Sequence, residues 1–324
     1  MDPYPDQEII ELSQLSQKSR RPPRLKGGWV AFALLAVLTF YPKCIEASPC
    51  CAGPGDAAGM ITGDEKAVLS LKTSQAWSIG FAPPQGQGLP VFRAENDEEW
   101  TQTLEIEGGL LLTDRLQVGL ALPVRRREQQ TPTQSFKVLG MGDARTSFSA
   151  ELLPEYSYSR WIPRIFGSFA LSLPTGTSGL GRSIWVPSLA LFLVKLYPLE
   201  AGTLGLSLNL EGHRPVGAPA PDTWIESALG FSVAASTTFQ TRRLPLVFSL
   251  SVSPLLDLPT RTQGAVASEG LTQLVWNVSG GAGWFIDGLT RLELRVSDQT
   301  LLGPAWNTPL ERALSLRLST GLLR

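Results

Sequence analysis

The chain is 324 residues long, 18% charged, and carries a formal charge of −1. A near-neutral chain offers no basic field to a nucleic acid, which sets that class of partner aside. Charge this sparse, below the ~25% of an ordinary soluble protein, alongside frequent Gly, Ser, Thr and Leu, describes a β protein lined by small residues.

Residues 1–47 read as a targeting segment with a long polar start. Arg20, Arg21, Arg24 and Lys26 form a basic region, followed by an apolar run from Trp29 to Tyr41 broken only by Thr39. That run has signal-peptide length and is too short to span a bilayer as a helix. Ile45-Glu46-Ala47 offers a cleavage site, and a start codon assigned too far upstream accounts for the polar stretch before Arg20. Of the three cysteines, Cys44 leaves with the signal. Cys50 and Cys51 fall in residues 48–64, expected as a flexible exported segment, with a vicinal thiol site as the competing reading. No cysteine follows, so no disulfide framework supports the fold.

The remainder, 65–324, alternates apolar and polar residues with a period of two, the mark of β-strands with two unlike faces. Strand one, Lys66 to Ile79, sets Leu69, Leu71, Trp77 and Ile79 against Ser70, Lys72, Ser74, Ala76 and Ser78. The hairpin Trp100–Val124 is the cleanest. Leu104, Ile106, Leu110 and Leu112 share one parity, Thr113-Asp114-Arg115 turns, and Leu116 to Val124 alternates back. Strand four puts Ala144, Thr146, Phe148, Ala150 and Leu152 against Asp143, Arg145, Ser147, Ser149 and Glu151. Strand five runs from Ile165 to Leu173. Strand six, Ile184 to Tyr197, is apolar on both faces. Strand seven alternates from Thr203 to His213, strand eight from Ile225 to Phe239, strand nine from Leu246 to Ser253 and strand ten from Gln273 to Ile286. After the hairpin signal Asp287-Gly288, strand eleven opposes Leu292, Leu294 and Val296 to Arg291, Glu293 and Arg295. Strand twelve opposes Leu314, Leu316, Leu318 and Leu322 to Ser315, Arg317, Ser319 and Gly321.

The connections come in two classes that alternate. Short ones lie at 113–115, 199–202, 241–243 and 287–288, with 154–164 the longest of them. Long Pro/Gly-rich ones lie at 80–99, 125–141, 174–184, 214–223, 257–270 and 300–309. Twelve strands with short turns at one rim and long loops at the other predict an all-β, closed antiparallel transmembrane barrel with short periplasmic turns and long extracellular loops. Closure follows from the solvent, because a sheet edge in hydrocarbon leaves N–H and C=O groups unpaired. Aromatic residues near strand ends are candidates for interfacial girdles: Trp77, Trp100, Trp185 and Trp224 toward the long loops, Tyr158, Trp161, Tyr197 and Trp284 toward the short turns.

Six blocks carry a family resemblance. Gly140-Met141-Gly142-Asp143 with the strand running to Leu152-Leu153-Pro154, then Leu171-Ser172-Leu173-Pro174-Thr175-Gly176, and Leu122-Pro123-Val124, resemble outer-membrane barrels of the meta-pathway phenol-degradation "transporter" type. Ile61-Thr62-Gly63-Asp64, Leu89-Pro90-Val91-Phe92-Arg93 and Asp298-Gln299-Thr300-Leu301-Leu302-Gly303-Pro304 are more similar still to an uncharacterised exported barrel group of Gram-negative bacteria. The resemblance covers roughly residues 61–320. It implies an outer-membrane location and a channel for small, often hydrophobic, solutes. The chain departs from such barrels by ending Leu322-Leu323-Arg324 rather than in an aromatic residue.

On the polar faces, Asp143, Arg145, Glu151, Arg291, Glu293, Arg295 and Arg317 are the candidate lumenal, selectivity-setting residues, with Glu105 and Glu107 on strand two. A salt-bridged interior that only stiffens the barrel is the competing reading. His213, the single histidine, shares a face with Glu211. This pair is the weak candidate for catalysis in an outer-membrane hydrolase, but no nucleophile and orienting partner can be pointed to. A lone histidine makes no metal site, so neither metal nor cofactor is expected. The expected reading is a passive outer-membrane channel, not an enzyme. Its partners are the lipid bilayer, the barrel insertion machinery and a small solute, with no oligomeric state specified. The alternative is an occluded structural barrel or a hydrolase using His213.

Overall fold

The computed structural model describes residues 60–61, 65–85, 88–94, 97–154, 159, 161–182, 184–217, 223–264 and 268–323. The targeting segment, all three cysteines and Tyr158 lie outside them. Twelve long strands form the barrel: β1 (Glu65–Ala82), β2 (Glu98–Leu111), β3 (Leu116–Gln130), β4 (Arg145–Leu153), β5 (Arg164–Ser172), β6 (Val186–Leu199), β7 (Gly202–His213), β8 (Gly230–Thr241), β9 (Leu246–Asp257), β10 (Gln273–Phe285), β11 (Thr290–Asp298) and β12 (Thr308–Leu323). Each pairs antiparallel with its sequence neighbours. The sheet closes because β12 also pairs with β1, from Glu65↔Leu323 to Ala82↔Thr308. Closure leaves no strand edge unpaired.

Burial is inverted relative to a water-soluble protein. Leu71 (45% exposed), Ile106 (49%), Leu250 (53%) and Val296 (55%) stand on the outer face, while Ser70, Glu107, Ser149, Ser279 and Glu293 are buried on the inner one. Burying polar side chains while exposing a belt of leucines is stable only if the surrounding medium is apolar. Strand six, ambiguous in the sequence, resolves with Val186, Ser188, Ala190, Phe192 and Val194 inward, in register with Ser172, Ala170, Ser168, Phe166 and Arg164 of β5. Among the described residues no helix is long and apolar enough to cross a membrane.

The long-loop rim differs from the sequence expectation. Strand three does not end at Val124. It continues to Gln130, and part of the expected 125–141 connection returns as a strand, Ser135–Met141, paired to it. Strand eight does not begin at Ile225. Residues Thr223–Ser227 form a separate small sheet with Arg261–Gly264 and Ser268–Glu269, so the expected 257–270 loop is partly strand. Strand twelve begins earlier, at Thr308. The cause is common to all of these. Above the apolar belt both faces of a strand meet water, so the backbone ladder runs on while the hydropathy alternation that marks it fades.

Candidate functional site

The lumen wall is built from the inward parity of each strand, and its charges cluster. On β11, Glu293 is held by Arg291 at 2.5 Å and Arg295 at 3.2 Å, and Ser249 Oγ of β9 donates to it at 3.4 Å. Room for this ladder comes from the intervening strand β10. A Cβ at Gly281 would meet Ser249 Oγ and Glu293 Oε1, and one at Gly283 would meet Arg291 Cδ. Next along the wall, Arg317 of β12 pairs with Glu107 of β2 and donates to Ser70 Oγ of β1 at 3.1 Å. Ser70 in turn donates to Glu107 at 3.3 Å. Glu105 of β2 takes Lys72 at 3.9 Å and Arg145 of β4 at 3.2 Å. The result is one belt of alternating charge across β11, β12, β1, β2 and β4. Each buried carboxylate in it has at least one cation within reach, which burial of a charge demands.

The opposite wall, β4 to β10, carries pairs of small neutral groups. Ser149 bonds Ser168 at 2.8 Å, Ser207 bonds Ser236 at 2.5 Å and Ser251 bonds Ser279 at 2.7 Å, each across a register pair. Toward the long-loop rim the two walls enclose a cavity of about 500 Å³, lined on one side by Arg125, Arg145 and Arg182 and on the other by Ser188, Ser232 and Asn277. Toward the short-turn rim, Phe166, Phe192, Val194, Val247 and Phe285 point inward and are all buried. Apolar side chains on an inner face are buried only where the space beside them is filled.

The remaining sequence candidates have different surroundings. Asp143 lines the cavity, but its carboxylate is occupied by the backbone N–H groups of Gly176 at 3.0 Å and Arg182 at 2.5 Å, so it staples a long connection. Glu151 pairs with Arg164 at 2.7 Å near the short-turn rim, and that guanidinium lies 4.7 Å from the Phe166 ring centroid. Trp77 faces Trp100 across β1–β2, and Arg126 lies 5.3 Å over the Trp100 ring. Trp185 is exposed and bridges Val216, Trp161 is exposed, and Tyr197 and Trp284 are half-buried. Trp224 lies on the separate rim sheet, not on a barrel strand, and its side chain is outside what is described.

Three contributors escaped the sequence reading. Lys72 stands alone among serines on its parity, and Arg125 opens a charged run that reads as a loop although it continues β3. Asp257 is the larger omission. Its Oδ1 lies 3.0 Å from His213 Nε2, although β8 stands between their strands. Gly230 of β8 makes this possible, since a Cβ there would collide with both groups. A glycine beginning a strand between two polar-faced neighbours was the available signal. Glu211 also lines the cavity. Among the described residues no cluster of His, Cys, Asp and Glu could hold a metal.

No protein-family model matches the sequence, and no curated protein is similar to it. Among solved structures, an outer-membrane channel from Pseudomonas putida F1 superposes with a TM-score of 0.59 at 15% identity, over 83% of this chain and 99% of that one. The translocator domain of the autotransporter NalP from Neisseria meningitidis gives 0.45 at 10% identity, over 82% and 90% of the two chains. The transport unit of the autotransporter AIDA-I from Escherichia coli gives 0.46 at 8%, over 92% and 98%. The first of these likenesses shows the fold, an antiparallel barrel of the outer-membrane type.

Proposed function

We propose that the protein is a passive channel of the bacterial outer membrane that admits a small solute, and not an enzyme. The observation that carries this reading is the opposition of faces: an apolar belt outside, and a wall of paired ions and serines inside a closed barrel. Nothing in a purely structural barrel calls for a polar cavity of about 500 Å³ beside three arginines. In this reading the long loops are extracellular, and the short turns and the β1 and β12 ends are periplasmic. The exposed aromatics seat the barrel in the bilayer, and the insertion machinery delivers it after export by a cleavable signal. The shared fold of the Pseudomonas channel supports the same reading, and the sequence resemblance extends it to small, often hydrophobic, solutes.

The charged belt sets the ion preference. Lys72, Arg145, Arg291, Arg295 and Arg317 face Glu105, Glu107 and Glu293, a surplus of positive charge that favours anions modestly. Replacing Arg291 and Arg295 with Glu should move the reversal potential in planar bilayers toward cation preference, while His213→Ala leaves it nearly unchanged. A second reading, an occluded barrel, is favoured by the five buried inward apolar side chains. It predicts no conductance from any variant, and that result would end the channel reading.

A further inference from the structure

Ile61 lies four positions before the first residue of β1 and is 4% exposed. Its backbone N–H donates to Gln117 Oε1 at 2.7 Å. Gln117 is also 4% exposed and points inward from the second position of β3, just inside the short-turn rim. β1 and β3 are not neighbours, because β2 lies between them. Two strand spacings amount to about 10 Å, and four residues reach about 14 Å at most. Ile61 therefore meets an inward-facing side chain two strands away only by standing within the barrel mouth, on the inner side of β2. Ile61 thus stands in the lumen, at the same end as the buried inward side chains Phe166, Phe192, Val194, Val247 and Phe285.

We propose that Met60–Ile61 is a resident gate that closes the short-turn mouth of the lumen, an inference that rests on the channel reading above. The seat suits reversible closure. Among the described residues it shows one neutral hydrogen bond and one aliphatic side chain, neither of them charged, so it can be left and retaken without stranding a charge. The long-loop cavity is then a vestibule that solute fills from one side, and passage waits on the departure of Ile61 from Gln117. The wild-type channel should show brief openings separated by long closures.

Two measurements on the full-length refolded chain test this separately. With Cys44, Cys50 and Cys51 replaced by serine, the Ile61→Cys variant should react with a charged maleimide at least about tenfold more slowly than Arg243→Cys in an exposed turn of the same rim. Adding Gln117→Ala should restore much of the rate. Equal rates for the two cysteine variants would show that Ile61 is not seated in the mouth. In planar bilayers, Ile61→Asp places a carboxylate where burial disfavours charge and should raise the open probability at least about tenfold. Gln117→Leu, which keeps the side chain's bulk and removes the acceptor, serves if the aspartate variant folds poorly. Wild-type open probability equal to that of both variants overturns the gate and leaves the channel standing. Absence of openings in all three overturns the channel, and the gate with it, whatever the labelling result.

Discussion

The two walls of this barrel solve the same problem differently. From β4 to β10 the inner face is closed by serine pairs, each made within one register pair and each complete in itself. From β11 through β12, β1 and β2 to β4 it is closed by ions that share partners: Glu293 serves two arginines, Glu105 serves Lys72 and Arg145, and Arg317 reaches over β1 to Glu107. A serine pair can be lost singly. A shared carboxylate cannot, because its removal takes a counter-charge from two partly buried cations at once. Robustness and electrostatic character are thus segregated around one circumference.

The largest expected effect breaks the charged wall at its centre. Glu293→Ala should destabilise the folded barrel by about 3–4 kcal/mol, since the half-buried Arg291 and Arg295 lose the buried carboxylate they share. Ser251→Ala on the other wall should cost no more than about 1 kcal/mol. Urea unfolding in detergent micelles, followed by electrophoretic mobility, measures both, and equal losses would erase the distinction between the walls.

A second pair of substitutions tests which face is which within the serine wall. Leu206 is exposed on the outer face of β7 and Ser207 faces inward against Ser236. Leu206→Arg should cost about 2–4 kcal/mol in a bilayer. Ser207→Arg should refold with much smaller loss, its guanidinium extending into the lumen. A larger penalty at Ser207 would reverse the assigned faces.

The smallest effect concerns the joint between the walls, the β10–β11 hairpin. Asp287 accepts the backbone N–H groups of Leu289 at 2.8 Å and Thr290 at 2.6 Å, which hold its carboxyl below the usual range. The ionised form is thus preferred in the folded state. Its contribution is full above the unfolded value of about 3.9 and fades as pH falls through the lower folded value. Asp287→Ala should cost about 1 kcal/mol at neutral pH, and the gap to wild type should narrow as the solution is acidified below about pH 4. A gap that stays constant down to pH 2 would show that the side chain acts otherwise than as a carboxylate.

Strand faces were legible in the sequence because lipid outside and polar groups inside impose a period of two. Leu104, Ile106, Leu120 and Leu122 announce it without ambiguity. Where water bathes both faces the signal disappears, and so Arg125, Arg126, Arg127 and Glu128 read as a polar connection although they continue β3. Partnerships were not legible at all. Nothing local relates Arg317 to Glu107 or His213 to Asp257. Each pairing depends on a register and on an intervening strand presenting a small residue, such as Gly230. The buried plug of aromatic and aliphatic groups near the short turns was hidden for a related reason: Phe166 and Phe285 sit on parities made mostly of small or polar residues, such as Ser168, Ala170, Asn277, Ser279 and Gly281.

The seam between β12 and β1 has a consequence for the order of assembly. Every serine pair joins strands that follow one another in the chain, so it can form as each hairpin arrives. The bond between Arg317 and Glu107 spans 210 positions, and it needs the last strand laid against the first. Closing so long a loop is entropically slow and is rewarded only at the end. The neutral half of the circumference can be finished while β12 is still free. The half that gives the lumen its field is completed only when the two ends of the sheet meet and Arg317 reaches Ser70 and Glu107.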